Sequence, residues 1–441
     1  MTNASTLPAC RRSALLRIAL LALMAGTAGV TPAAAQTCPT PGPVTAGLSL
    51  PMSAVRYLSD DALTGRQAGT AGERCAGEFI AAEFARLGLT PGGSDGTFFQ
   101  SLPLQSAINP HAPGGTGRNV IATLEGSDPV LRHERVVIGA HYDHLGEGMA
   151  GSLAPGEQAI HNGADDNASG VAAMLWAAER LAAGPRPARS VTFIAFTGEE
   201  SGLLGSAFYV ANPNAASGPM IAMINLDMVG RLGAGPLIVY GVDTASEWKA
   251  LLQPAADRAG VAIATRGEGY GPSDHTSFYL KDVPVLHFFT NTHADYHKPS
   301  DDWERVDAAG LEKVAAIVTD IARVTAERRS ALTLQRGAGQ PPRAATATSG
   351  GYGAYLGSVP DFAPVPRGVK LSGVTAGSPA ATAGILAGDV VLGIGAHEVA
   401  DLQAMTDALR VHKPGEAVDV RILRGDTTLT LRVTLGSRAS R

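Results

Sequence analysis

Five short clusters of acid and histidine punctuate the middle of this 441-residue chain. They are His141-Tyr142-Asp143-His144, Gly163-Ala164-Asp165-Asp166-Asn167, Thr197-Gly198-Glu199-Glu200, Asn225-Leu226-Asp227 and Tyr296-His297. Imidazole and carboxylate without cysteine form the ligand chemistry of zinc, with cobalt or manganese as substitutes. Two histidines and three or four carboxylates exceed one tetrahedral shell. They suffice for two metals that share a bridging carboxylate. Such a pair suits hydrolysis, because it lowers the pKa of a bridging water and stabilises an oxyanion. One exposed acid at the start of a loop is unremarkable, but five clusters at successive strand ends are not.

The elements around the clusters explain how they could converge. Runs over residues 119–124, 135–140, 190–196, 220–227 and 285–289 read as short strands. Cys75, Phe79, Ile80, Phe84 and Leu87 recur at helical spacing and stop at Gly88. Helices are also expected over 168–183, from about Leu203, over 247–259 and over 308–327. This alternation predicts an α/β fold, a mostly parallel mixed sheet sandwiched by helices. Ligands bind outside the carboxyl ends of the strands in such sheets, where the clusters fall.

Residues 335–353 lose apolar periodicity and are rich in Gly, Pro, Ala, Thr and Ser, which predicts a linker. Residues 354–441 then show short strands, glycine turns and one helix near 402–409, enough for a small second domain. At the other end, Arg11, Arg12 and Arg17 precede an uncharged stretch over 18–30 and the small residues Ala33-Ala34-Ala35. That order is a secretory signal peptide over residues 1–35, so the chain is expected to be exported, periplasmic or extracellular. Its removal takes away three arginines and no acid, deepening a net charge of −5. That balance gives no reason to expect nucleic acid as a partner. No later apolar run is long enough to span a bilayer, so the mature form is expected off the membrane. The mature chain would keep Cys38 and Cys75, a candidate disulfide tying the N-terminal segment to the first helix.

The five clusters, in this order, resemble the co-catalytic zinc exopeptidases of metallopeptidase family twenty-eight. The similarity covers roughly residues 51–327, and Leu63-Thr64-Gly65-Arg66 with Ala68-Gly69-Thr70 resembles the segment preceding the catalytic domain there. The family includes aminopeptidases, glutamate carboxypeptidases and glutaminyl cyclases. The resemblance implies the zinc exopeptidase fold over 36–334 and two zinc ions per chain. It implies His141, Asp165, Glu200, Asp227 and His297 as ligands, with Asp165 bridging and Asp165–Asp166 as the site of a cis peptide. It further implies Asp143 as the carboxylate that orients His141, Glu199 as general base, and Tyr270, in Gly269-Tyr270-Gly271-Pro272-Ser273-Asp274-His275, as oxyanion donor. The C-terminal segment resembles a PDZ domain through Tyr355-Leu356-Gly357, Ser378-Pro379-Ala380, Ala383-Gly384-Ile385 and Gly388-Asp389-Val390-Val391. That implies a C-terminal peptide ligand.

The resulting expectation is an aminopeptidase that removes N-terminal residues from peptides with a free amine through a metal-bridging hydroxide. A carboxypeptidase or dipeptidase of the same family is the alternative, with Arg231 the only nearby clamp for a substrate carboxylate. A non-catalytic peptide-binding protein that retains the fold is another.

Overall fold

In a computed structural model of the chain, the described residues are Met1, 38–40, 49–105, 114–148, 151–154, 157–213, 218–339, 354–361, 365–375, 377–400 and 402–436. The expected signal peptide lies outside them. Nine strands form the main sheet among the described residues: β1 (Thr90–Pro91), β2 (Phe99–Pro103), β3 (Thr116–Leu124), β4 (Arg135–His141), β5 (Ser190–Phe196), β6 (Met220–Leu226), β7 (Leu237–Tyr240), β8 (Ile263–Thr265) and β9 (Val285–Phe289). Their order is β1-β3-β5-β4-β6-β9-β7-β8, with β2 on β3. The middle four, β5-β4-β6-β9, are parallel, while β3 and β7 join them antiparallel. Every residue of β4 and β5 is buried. Their near-continuous apolar runs are what a parallel strand covered on both faces requires.

The helices are α1 (Leu50–Leu58), α2 (Ala71–Arg86), α3 (Gly170–Ala183), α4 (Leu204–Ala211), α5 (Trp248–Ala259), α6 (His275–Tyr279) and α7 (Ala308–Glu327). Successive β4 residues serve opposite faces. Val136 and Ile138 pack into the large core with α1, α2, α3, α5 and α7, whereas Val137 packs with Tyr209 of α4 and Phe278 of α6. Thr70 caps α2 at the Glu73 N–H, and Asp307 caps α7 at the Gly310 N–H. Along α7, Leu311, Val314, Ala315, Val318, Ile321 and Ala322 form a buried stripe at helical spacing.

Strand register decides where the chemistry can sit. His141 pairs with Phe196 at the carboxyl ends of β4 and β5, and Gly139 is level with Asn225 of β6. The chain leaves β4 for β5 on one side and reaches β6 on the other. That reversal opens a crevice at the carboxyl ends of the strands.

A second antiparallel sheet comprises β10 (Ser358–Pro360), β11 (Val369–Val374), β12 (Val390–Ile394), β13 (His397–Glu398), β14 (Ala417–Arg424) and β15 (Thr427–Thr434). Helices α8 (Pro379–Thr382) and α9 (Leu402–Val411) accompany it, around a separate apolar core that includes Leu371, Ile385, Val391 and Ile422. Both sheets belong to one compact unit, Cys38–Arg441. Among the described residues, no helix is long and apolar enough to cross a membrane.

The expected linker starts too early. Gln335 donates its N–H to the Thr244 carbonyl, Arg336 pairs with Asp282, and the Ala338 N–H donates to the Tyr279 hydroxyl. Residues 335–339 therefore finish the first sheet's periphery, and 340–353 lie outside the described residues. A chain ended at Leu334 should consequently lose stability relative to one ended after Gly339. Thermal unfolding of the two truncations checks this, and equal midpoints would contradict it.

Cys38 and Cys75 form a disulfide that links the N-terminal segment to α2. The bridge spans 37 positions. Replacing Cys75 by Ser should cost about 2–4 kcal/mol of unfolding free energy, the usual worth of such a cross-link. Denaturant midpoints with and without the substitution measure it.

Candidate metal centre

Fully buried Arg66 fixes two of the loops that carry the acids and histidines. Its guanidinium donates to the carbonyls of Tyr142 at 2.9 Å, Asn162 at 2.5 Å and Gly163 at 3.0 Å, and also to that of Leu58. Burial lowers its pKa to about 10, so it stays charged. Gly163 then turns the chain at φ +55°, where an added Cβ would lie 2.0 Å from the Asp166 carbonyl oxygen. The N–H groups of Asp165 and Asp166 both donate to the Asp301 carboxylate, at 2.9 and 3.1 Å. This pins the acidic turn beneath the carboxyl ends of the strands.

Asp166, not Asp165, occupies the centre. Its Oδ1 lies 3.3 Å from His141 Nε2 and its Oδ2 lies 3.0 Å from His297 Nε2. Asp165 points the other way. Its Oδ1 accepts from the Gly230 N–H at 2.6 Å and the Ser169 hydroxyl at 2.9 Å, and its Oδ2 lies 3.1 Å from His293 Nε2. The sequence placed Asp165 between the histidines; Asp166 stands there instead, and the cis peptide falls at Asp166–Asn167.

Two triads share Asp166. In the first, His141 Nε2 is 3.3 Å from Asp166 Oδ1 and 3.3 Å from Asp227 Oδ1. In the second, His297 Nε2 is 3.0 Å from Asp166 Oδ2 and 3.5 Å from Glu200 Oε2. Ligands about 2.0–2.1 Å from a tetrahedral zinc stand about 3.3–3.4 Å from one another; His141, Asp166 and Asp227 form a group that could hold a metal, and the His297 contacts to Asp166 and Glu200 are of similar length. His144 also approaches, forming a possible group with Asp166 and Glu200. Its Nδ1 is only 2.8 Å from Glu200 Oε1 yet 4.0 Å from Asp166 Oδ2. The contact with Glu200 has hydrogen-bond geometry, and His297 approaches the same two carboxylates from the other side of the pair.

The histidine tautomers follow from their other nitrogens. His297 Nδ1 donates to the Gly151 carbonyl at 2.9 Å, leaving Nε2 as the lone-pair donor to a metal. His141 Nδ1 donates to the backbone carbonyl of Asp143 at 3.1 Å, whereas the Asp143 carboxylate is 3.8 Å away. The orienting group is therefore the Asp143 carbonyl. Its carboxylate instead accepts from the Glu199 N–H at 3.1 Å and so positions the acidic pair. Burial raises the Asp143 carboxyl well above its ordinary pKa. Ser273 donates to Asp227 Oδ2 at 2.7 Å, which leaves Oδ1 facing His141.

These groups open onto one cleft. Glu199 faces it together with the triads. Burial, with Glu200 nearby, pushes the Glu199 carboxyl well above the usual carboxylate range. Glu200 differs: burial opposes its charge, but His297 and His144 outweigh burial and lower its pKa. The far wall includes Met228, Tyr240, Phe289 and the stacked pair His275 and His287, whose rings are 4.4 Å apart. Burial holds His275 down to about 3, so that ring is neutral.

Tyr270 does not line the cleft. Its ring packs on Tyr279 at 4.7 Å, against the apolar cluster that includes Phe278 and Val283. The expectation of an oxyanion donor there is corrected, and Tyr240 and Tyr296 line the cleft instead. Arg231 is committed elsewhere, 3.2 Å from both Asp295 and Asp301. Asp166, His144, Arg66 and Asp301 were not expected as site residues; the first three stand inside quoted motifs, and Asp301 lies four residues beyond His297.

Comparison with known proteins fits this geometry. Residues 119–322 match Peptidase family M28, and residues 352–435 match the PDZ domain. Leupeptin-inactivating enzyme 1 of Streptomyces exfoliatus is 29% identical over 270 residues, covering 60% of this chain and 54% of that one. Aminopeptidase YwaD of Bacillus subtilis is 30% identical over 216 residues, covering 46% and 44%. The chain thus spans about half the length of these curated relatives. The crystal structure of a leucine aminopeptidase precursor from Bacteroides thetaiotaomicron shares the fold, with TM-score 0.51 at 19% identity, covering 62% of this chain and 96% of that one. The chain thus carries a stretch similar to peptidase family M28 over residues 119–322 and one similar to the PDZ domain over residues 352–435.

Proposed function

We propose that the chain is an exported zinc aminopeptidase, with a peptidase domain over about 36–339 and a PDZ domain from 354. His141, Asp166 and Asp227 would hold one zinc ion, and Asp166, Glu200 and His297 a second. The observation that carries this reading is Asp166, whose two oxygens face His141 and His297 at 3.3 and 3.0 Å. When bound, the pair supplies Lewis acidity to a hydrolysis. Glu199, facing the cleft with a raised pKa, takes the proton of the attacking water and returns it to the leaving amine. The Asp143 carboxylate holds Glu199 in place through its backbone N–H. Tyr240, Phe289 and Met228 receive the side chain of the residue being removed.

Charge favours the amino end of the substrate. Acids and histidines line the cleft, and no lysine or arginine does so among the described residues. A free α-amine meets carboxylates there, whereas a C-terminal carboxylate would meet no clamp. The carboxypeptidase alternative relied on Arg231, which Asp295 and Asp301 already neutralise. The signal-like residues 1–35 support export.

The test compares leucine p-nitroanilide with its N-acetyl form. Acetylation should abolish turnover. Rapid cleavage of N-blocked peptides that carry a free C-terminus would overturn the aminopeptidase reading.

A further inference from the structure

The PDZ edge strand and the metal cleft meet at one side chain. Thr292 lines the cleft, and its hydroxyl donates to the Pro360 carbonyl of β10 at 2.7 Å. Beside it, Asn291 Nδ2 donates to Asp361 Oδ1 at 2.8 Å. β10 is an edge strand paired on one side with β11. Gly357 accepts from the Thr375 N–H and Asp361 donates to the Lys370 carbonyl, so these two residues face β11. Strand alternation then turns Ser358 and Pro360 to the open edge. Thr292 therefore sits on the edge to which an extended peptide would add.

The direction of that peptide is fixed. The Tyr355-Leu356-Gly357 turn precedes β10, and among the described residues no group accepts from the Leu356 or Gly357 N–H. Gly357 sits at φ +81°, where a Cβ would lie 2.1 Å from Ser378 Cβ, so the turn requires glycine. Free N–H groups in such a turn suit a terminal carboxylate. A peptide anchored there must run antiparallel to β10, with its upstream residues passing Ser358 and reaching Pro360. Pro360 has no N–H, and Thr292 takes its carbonyl, so strand addition stops there. The next upstream residues lie against Thr292, at the lip of the cleft.

We propose that the two domains read the two ends of one substrate: a linear peptide with a free carboxylate on the β10 edge and a free amine in the metal cleft. This rests on the aminopeptidase reading and names its substrate class. The run from Gly357 to Pro360 is about 10 Å at about 3.3 Å per residue, so about three residues occupy the edge. Adding the residue removed and its neighbour gives a minimum of about five. Hydrolysis adds one water across the first peptide bond, releasing an amino acid and leaving a shortened peptide with a new amine.

The test uses the full chain and Leu-polyalanine-Val peptides from tripeptide to octapeptide, each as free acid and as C-terminal amide. Acid and amide should be cleaved alike up to about four residues. From about five residues the acid should gain roughly tenfold in kcat/KM, mostly through KM, as tethering raises the local concentration of the amine. Ser358→Pro, which removes an edge donor, should bring the acid-to-amide ratio to one. As a check that needs no variant, the N-acetylated octapeptide acid should inhibit cleavage of the octapeptide acid more strongly than its own amide does. Equal rates for acid and amide at every length would overturn the proposal while leucine p-nitroanilide is still cleaved. Failure to cleave that small amide would instead remove the aminopeptidase reading itself.

Discussion

Asp166→Ala should empty both proposed metal sites and reduce peptidase activity to background, a loss of at least about 10⁴-fold where metal activation is the main source of rate. Among the described residues, Asp166 alone has a carboxylate facing both His141 and His297. With Asp166 gone, each triad keeps only one imidazole and one carboxylate. Asp165→Asn serves as the contrast. Its carboxylate accepts from Gly230 and Ser169 behind the site and faces neither His141 nor His297. That variant should keep its metal and lose about 1–3 kcal/mol of stability, the cost of a disturbed buried hydrogen-bond network. Elemental analysis of the two variants separates the outcomes. Metal lost on changing Asp165 and retained on changing Asp166 would return the bridging role to Asp165.

Glu199→Gln should lower kcat by about 10²–10⁴-fold while metal content stays unchanged. The substitution preserves shape and the backbone N–H that donates to Asp143. It removes the carboxylate proposed to take the proton of the attacking water. Glu200→Gln should behave differently, because Glu200 faces His297 at 3.5 Å and belongs to a triad. Metal loss from the Glu199 variant, with retention in the Glu200 variant, would exchange the two roles.

Much of the architecture was legible because burial and period agree. β5 follows its apolar run residue for residue, and α7 its apolar stripe. The antiparallel β7 escaped notice because four apolar residues, Leu237–Tyr240, carry too little period to distinguish a strand from a loop. Within the site, motif position located each loop but could not say which of two adjacent acids faces inward. That choice depends on the turn at Gly163 and on Asp301, which lies far along the chain. Tyr270 illustrates the same limit. Its position beside Ser273 is visible in the sequence, but its packing on Tyr279 is a tertiary contact. Likewise, composition marked residues 335–353 as linker, whereas Tyr279 and Asp282 hold its first five residues against the peptidase domain.

The most direct test of the proposed centre is the zinc content of the purified, dialysed full chain, measured with its activity on leucine p-nitroanilide before and after chelation. Two triads joined by one carboxylate predict about two zinc ions per chain. Activity should vanish on chelation and return when zinc is restored. One ion or none in a fully active, chelator-resistant protein would contradict a shared-carboxylate pair built on Asp166.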